Sequence, residues 1–244
     1  MTPNLRTRES IRLAGVGVQR GGRAILDSVS LEMSERRIAL VGRNGSGKST
    51  LARVIKGLIR PDSGEVRLYG LDPAKRDFGS LSVAGFLFQN SDHQILCPSV
   101  LEEIAFGLGE NGFETAEAEG AALELMQRHG IAGWRDRAVA TLSEGQRRLV
   151  CLLAVLVMQP RVLLLDEPYT GLDIPTRRRL ERFIAELPQQ IVMISHDPEM
   201  LADFDRVLWI DAGRVRADGP PREILGGFLE AMRREGEEGA AWSA

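Results

Sequence analysis

The sequence is poor in cysteine, has no long apolar run and carries no excess of positive charge. Its two cysteines, Cys97 and Cys151, lie far apart without metal-ligand spacing. They read as small buried hydrophobes in a reducing cytosol, and a disulfide scaffold is not expected. Lys and Arg number 31 against 34 Asp and Glu, a formal charge of −3. A global electrostatic case for nucleic acid is therefore absent, and no nucleic-acid partner is expected. The longest apolar run is LVCLLAVLVM, at 149–158. A membrane span needs about 20 such residues, so this run is expected as a buried helix. The opening MTPNLRTRESIR has no apolar core, so no secretory signal is expected either. A chain like this works at a membrane only if a partner holds it there.

What the sequence does have is bulk and pattern. It is 244 residues long and 43% hydrophobic, enough for one large domain or two lobes with their own cores. The first third reads as strands: IRLAGVGV, SVSLEM and RIALVG, punctuated by the turn RGG at Arg20, Gly21 and Gly22. A helix over 49–56 stops at Gly57, and the turn PDSG leads to a strand EVRLYG. SVAGFLF is the next expected strand. The middle third is helical. Ser99 with Glu102 makes a capping box, 115–129 is rich in Ala and Glu, and Ser143 opens a third helix through the apolar run. The last third alternates VLLLD, a helix PTRRRLERFIAEL, IVMIS, then RVLWID and RVRADG as a strand pair. Uniformly apolar strands alternating with helices predict a parallel sheet covered on both faces, with the helical middle inserted as a lobe. The Gly- and Glu-rich end is expected to fray.

The chemistry starts at GRNGSGKST, comprising Gly42, Arg43, Asn44, Gly45, Ser46, Gly47, Lys48, Ser49 and Thr50. It fits G-x-x-x-x-G-K-[ST] between a strand and a helix, the context that pattern requires. Glycines let successive N–H groups converge on phosphate oxygens, and the helix N-terminus adds partial positive charge. Lys48 is expected on the β- and γ-phosphates of ATP, and Ser49 on Mg²⁺. VLLLDEP leaves Asp166 and Glu167 at the carboxyl end of an apolar strand, where open α/β sheets bind ligands. Asp166 is expected on Mg²⁺, and Glu167 as base or orienter for an attacking water. IVMISHD puts His196 at another strand end, as a donor to the γ-phosphate. Gln89 ends the strand FLF and is expected to reach Mg²⁺ and the attacking water.

LSEGQRR, containing Ser143, Glu144, Gly145 and Gln146, joins these motifs and the GLD ending at Asp173. Together, and in this order, they resemble the ATP-binding cassette ATPases over about residues 11–225. The resemblance implies an α/β phosphate-loop NTPase fold: a RecA-like mixed and largely parallel sheet core, an antiparallel β subdomain, and an inserted helical lobe at about 90–160. One cassette domain is expected over 1–228, with a flexible tail at 229–244. The resemblance also implies a head-to-tail dimer with ATP between subunits. Ser143 and the Gly145 N–H of one copy would cap the γ-phosphate held by the other, with Gln146 near the ribose and Asp173 across the contact. Two positions depart from the usual pattern. Glu144 stands where a second glycine is commonest, so its side chain should turn away from the phosphate. Arg20 stands where an aromatic usually stacks on adenine, and a guanidinium can stack there instead. SERR, at 34–37, replaces the usual Gly-Glu with no evident reason.

Three classes compete: a transporter motor, a soluble translation or repair ATPase, and an inactive regulatory subunit. The single cassette, the short lobe without heptads, and the retained Glu167 and His196 favour transport. QNSDHQILCPSVLEEIAFG further resembles the energy-coupling-factor importers, and SERR with the single compact cassette is similar to the biotin-transporter ATPases among them, with cobalt, nickel or another vitamin as competing cargoes. That resemblance implies a homodimer, or a heterodimer with a paralogous ATPase. It also implies a transmembrane scaffold docking near Gln89 and Phe106, and a separate small substrate-binding membrane protein. The location implied is peripheral, on the cytoplasmic face of the inner membrane.

Overall fold

In a computed structural model the described residues are 10–75 and 78–238, and they divide into two compact units. The first unit opens with β1 (Ile11–Arg20) and β2 (Arg23–Met33), a hairpin turning at Gly21 and Gly22. β3 (Arg37–Val41), α1 (Lys48–Lys56) and β4 (Ser63–Leu68) follow. The second unit begins with α2 (Phe78–Val83), β5 (Ala84–Leu87), α3 (Val100–Glu110), α4 (Thr115–Arg128) and α5 (Glu144–Leu156). It closes with β6 (Val162–Asp166) and α6 (Ile174–Glu186). The chain then returns to the first unit with β7 (Gln190–Ile194), α7 (Pro198–Leu201), β8 (Arg206–Asp211), β9 (Arg214–Gly219) and α8 (Pro221–Glu238).

The first unit carries two kinds of sheet. β1 lies between β2 and β4, antiparallel to both. Its alternation of buried Ile11, Leu13, Val16 and Val18 with exposed partners is that of a one-sided sheet. β3 instead pairs in parallel with β7 and β8, Leu40 against Ile194 and Val41 against Trp209. Its residues 38–41 are all buried, as a strand covered on both faces must be. β8 and β9 form the expected antiparallel pair. Arg206 opens β8 and ties Glu35 to Asp218, with bonds of 3.0 and 2.6 Å. The glutamate of SERR is therefore an anchor for the strand that carries the phosphate loop.

In the second unit β5 and β6 pair in parallel, Ala84 against Val162 through Leu87 against Leu165. Both strands are wholly buried. The strand expected as SVAGFLF is shorter than that, because Ser82 and Val83 end α2. Gly85 explains the tight packing there: a Cβ would meet Val155 Cγ1 at 2.1 Å. α3 carries the expected capping box of Ser99 with Glu102, and α5 a second one of Ser143 with Gln146. Residue 229 does not begin a tail. α8 runs on to Glu238 and buries its own Leu225 and Phe228; residues 239–244 lie outside the described residues.

Candidate nucleotide site and its family

The loop between β3 and α1 has the backbone of a phosphate cradle. Gly42 has φ 147°, and a Cβ there would lie 2.1 Å from the Ile210 carbonyl oxygen. Gly47 caps α1 with φ 108°, and its Cβ would meet the Ile25 carbonyl oxygen at 2.7 Å. A side chain at either position would push the loop off the β-structure beneath it. Lys48 is buried and its ammonium donates to the carbonyls of Gly42 and Arg43, both at 2.7 Å. The lysine thus reaches back across the loop mouth toward the space a phosphate would take. Ser46 Oγ is buried with no hydrogen-bond partner, a polar atom suited to an incoming oxygen.

His196 follows β7, in a turn where Ser195 Oγ accepts from the Asp197 N–H at 3.1 Å. It lines a cavity of about 380 Å³ with Gly42, Arg43 and Asn44 of the loop and Phe228, Leu229 and Met232 of α8. Loop and histidine therefore line one cavity. The α8 wall was not foreseen. Glu235 on that helix pairs with Arg43 at 3.0 Å. Arg20 stands at the exposed hairpin tip, paired in register with Arg23.

The remaining expected residues lie in the second unit. Asp166 is buried at the end of β6, and Glu167 directly after it has φ 51°. A left-handed backbone on a non-glycine residue costs about 1–2 kcal/mol and tends to persist at working sites. Ser143 caps α5 and accepts from the Gln146 N–H, while Gln146 Oε1 accepts from the Ser143 N–H at 3.0 Å. Gly145 lies against α6, where a Cβ would meet Thr176 Cγ2 at 2.1 Å. Asp173 caps α6 by accepting from the Thr176 N–H at 2.8 Å, and hydrogen bonds from the Thr176 side chain and then its N–H hold the carboxyl below the usual range. Signature loop and Asp173 are thus neighbours. The Glu144 carboxylate bonds Ser91, Arg147 and Arg148.

A family model described as ABC transporter matches residues 26–170, more than half of the chain. A biotin transport ATP-binding protein of Rhodobacter capsulatus is 45% identical over 232 residues, 95% of this chain and 99% of the relative.

The chain belongs to the ABC transporter family.

A second biotin transport ATP-binding protein, from Rhizobium etli, is 39% identical and covers 91% of this ABC-family chain and 98% of its own. Among solved structures, cbiO1 from Clostridium perfringens has a TM-score of 0.76 at 27% identity, covering 93% of this chain and 94% of that one. It is described as part of the ABC transporter complex cbiONQ. The ATP-binding cassette MJ1267 in its ADP conformation, at 22% identity and TM-score 0.79, shares the fold: a parallel core sheet with an antiparallel subdomain. This ABC protein is an ATP-binding ATPase subunit of a transporter. Among its described residues no helix is long and apolar enough to cross a membrane.

Proposed function

We propose that this ABC ATPase drives an energy-coupling-factor-type importer for biotin. It does so as a homodimer beneath a transmembrane scaffold and a separate small biotin-binding membrane protein. One observation carries the reading. Two biotin transport ATP-binding proteins match nearly the whole chain and nearly the whole of themselves. The segment after β5 supports it. Leu96, 68% exposed, lies on a loop that Glu103 holds in shape, and Phe106, 39% exposed, lies on α3. The segment from Gln89 to Phe106 is the docking face for the scaffold.

The residues divide the chemistry between them. The N–H groups of 42–50 and the Lys48 ammonium bind the β- and γ-phosphates. Ser49, Asp166 and Gln89 offer a hydroxyl, a carboxylate and an amide oxygen, the hard donor set that Mg²⁺ takes. When bound, the ion neutralises phosphate charge. Glu167 orients the attacking water and accepts its proton, while His196 donates to the γ-phosphate oxygen. Arg20 stacks on the base. Ser143 and the Gly145 N–H cap the γ-phosphate held by the second copy, with Asp173 at the same contact. ATP therefore favours the closed pair and hydrolysis releases it, a two-state element biased by its ligand.

The test is uptake of labelled biotin by cells lacking the gene, complemented with the wild type or with Lys48→Ala. Only the wild type should restore uptake. Restoration by Lys48→Ala, or loss of cobalt or riboflavin uptake in place of biotin, overturns the reading.

A further inference from the structure

Arg148 lies on α5, one turn after Glu144, and is 1% exposed. A buried guanidinium is costly unless acceptors meet its donors; here both Nη groups find acceptors and the buried Nε has none. Its Nη1 donates to the carbonyl oxygens of Phe88 and Gln89, at 2.8 and 2.7 Å. Its Nη2 donates to Glu144 Oε1 at 3.2 Å. Glu144 in turn accepts from Ser91 Oγ at 3.0 Å and from Arg147 at 2.9 Å. Gln94 completes the joint, accepting from the Phe88 N–H at 3.2 Å and donating to the Cys151 carbonyl at 3.0 Å. Burial works to raise the Glu144 carboxyl, yet the bonds from Arg147 and Ser91 and the nearby guanidinium charges hold it below its ordinary range. The carboxylate stays charged and keeps its grip on Arg148.

The loop after β5 is therefore fastened to the first turn of α5 on both sides of Gln89. Phe88 and Gln89 are held through their carbonyls and Ser91 through its hydroxyl. The Gln89 side chain is left exposed. Glu144, in turn, is the residue that departs from the commonest signature.

We propose that Arg148 is a positioning residue for Gln89. With Glu144 as its anchor, it makes Gln89 and the signature residues Ser143, Gly145 and Gln146 move as one body. The Gln89 that serves one nucleotide and the signature loop that caps the other are then coupled within a single subunit. The inference rests on the reading that Gln89 acts at ATP and its Mg²⁺.

The experiment measures steady-state ATP turnover against ATP and against Mg²⁺, with melting temperature as control. The variants are Gln89→Ala, Arg148→Lys, Glu144→Gly and the double Gln89→Ala/Arg148→Lys. Arg148→Lys keeps the charge but cannot span two carbonyls and Glu144. Glu144→Gly leaves Arg148 intact and restores the commonest signature residue, so it serves if Arg148→Lys fails to fold. Both should lower kcat roughly tenfold, change KM for ATP less than about threefold and raise the Mg²⁺ needed for half-maximal rate, the pattern of an interaction made only in the transition state. Gln89→Ala should share that profile, and the double variant should be no worse than Gln89→Ala alone. Losses that multiply in the double variant, or a lower melting temperature with unchanged Mg²⁺ dependence, overturn the positioning role. Unimpaired Gln89→Ala would instead remove the reading of Gln89 on which the inference rests.

Discussion

Glu103 offers a quantitative test of how the proposed docking loop is built. Its carboxylate is 4% exposed and accepts the N–H groups of Leu96 and Cys97, both at 2.8 Å. Pro98 follows, and Ser99 then caps α3. The loop before α3 thus hangs on one buried acid. Glu103→Gln keeps the shape and one acceptor oxygen but loses the charge. A hydrogen bond to a charged group contributes about 1.5–3 kcal/mol against about 1 for a neutral one. Over two bonds the loss is about 1–3 kcal/mol. For a domain of this size each kcal/mol moves the melting temperature by about 2–4 °C, so a fall of about 5 °C is expected. Glu103→Ala leaves both amides without the acceptor, and its fall should be about twice as large. Amide hydrogen exchange should speed up most at Leu96 and Cys97, and little in α4. Scanning calorimetry and exchange followed by mass spectrometry read both. An unchanged melting temperature, or exchange that rises evenly along the chain, refutes the reasoning.

Gly145→Ala should push Thr176 aside, because the added Cβ falls 2.1 Å from its Cγ2. ATP turnover should drop about tenfold or more, and Thr176→Ser in the same chain, which removes that methyl, should restore most of it; no rescue would mean the two residues do not share a contact. The thiols should differ in reactivity at pH 8. Burial pushes Cys151 up to about 12, so its reactive thiolate is scarce, whereas half-exposed Cys97 is raised by burial and by Glu103 and Glu102 without being enclosed. A thiol reagent should label Cys97 alone in the native chain, slowly, and both after denaturation; rapid native labelling of Cys151 contradicts the packing around α5.

Features that are contiguous in the chain were legible without coordinates. The phosphate loop, the capping box at Ser99, the helix start at Ser143 and the strand end at Asp166 all announce themselves within seven or eight residues. Their geometry follows from local rules of glycine conformation and helix capping. Features made by residues distant in sequence were not legible. Nothing in SERR points to Arg206, which pairs with Glu35 across 171 positions. The α8 wall of the cavity was not legible because the Gly- and Glu-rich end suggested a tail from residue 229, while burial of Leu225 and Phe228 holds the helix. One signal was available and unused. Glu144 and Arg148 have the i, i+4 spacing and the Glu-before-Arg order that favours a helical pair. Read that way, the signature's odd glutamate has a partner within its own helix.

The most direct test of the account is the solution mass of Glu167→Gln, measured by size exclusion with light scattering, with and without ATP and Mg²⁺. The variant keeps the phosphate loop and the signature but loses the carboxylate that would take the water's proton. The account predicts a monomer without nucleotide, a stable dimer in ATP, and turnover reduced about a hundredfold or more. A chain that stays monomeric in ATP, or turns over like the wild type, contradicts the claim that ATP joins two copies and Glu167 lets them part.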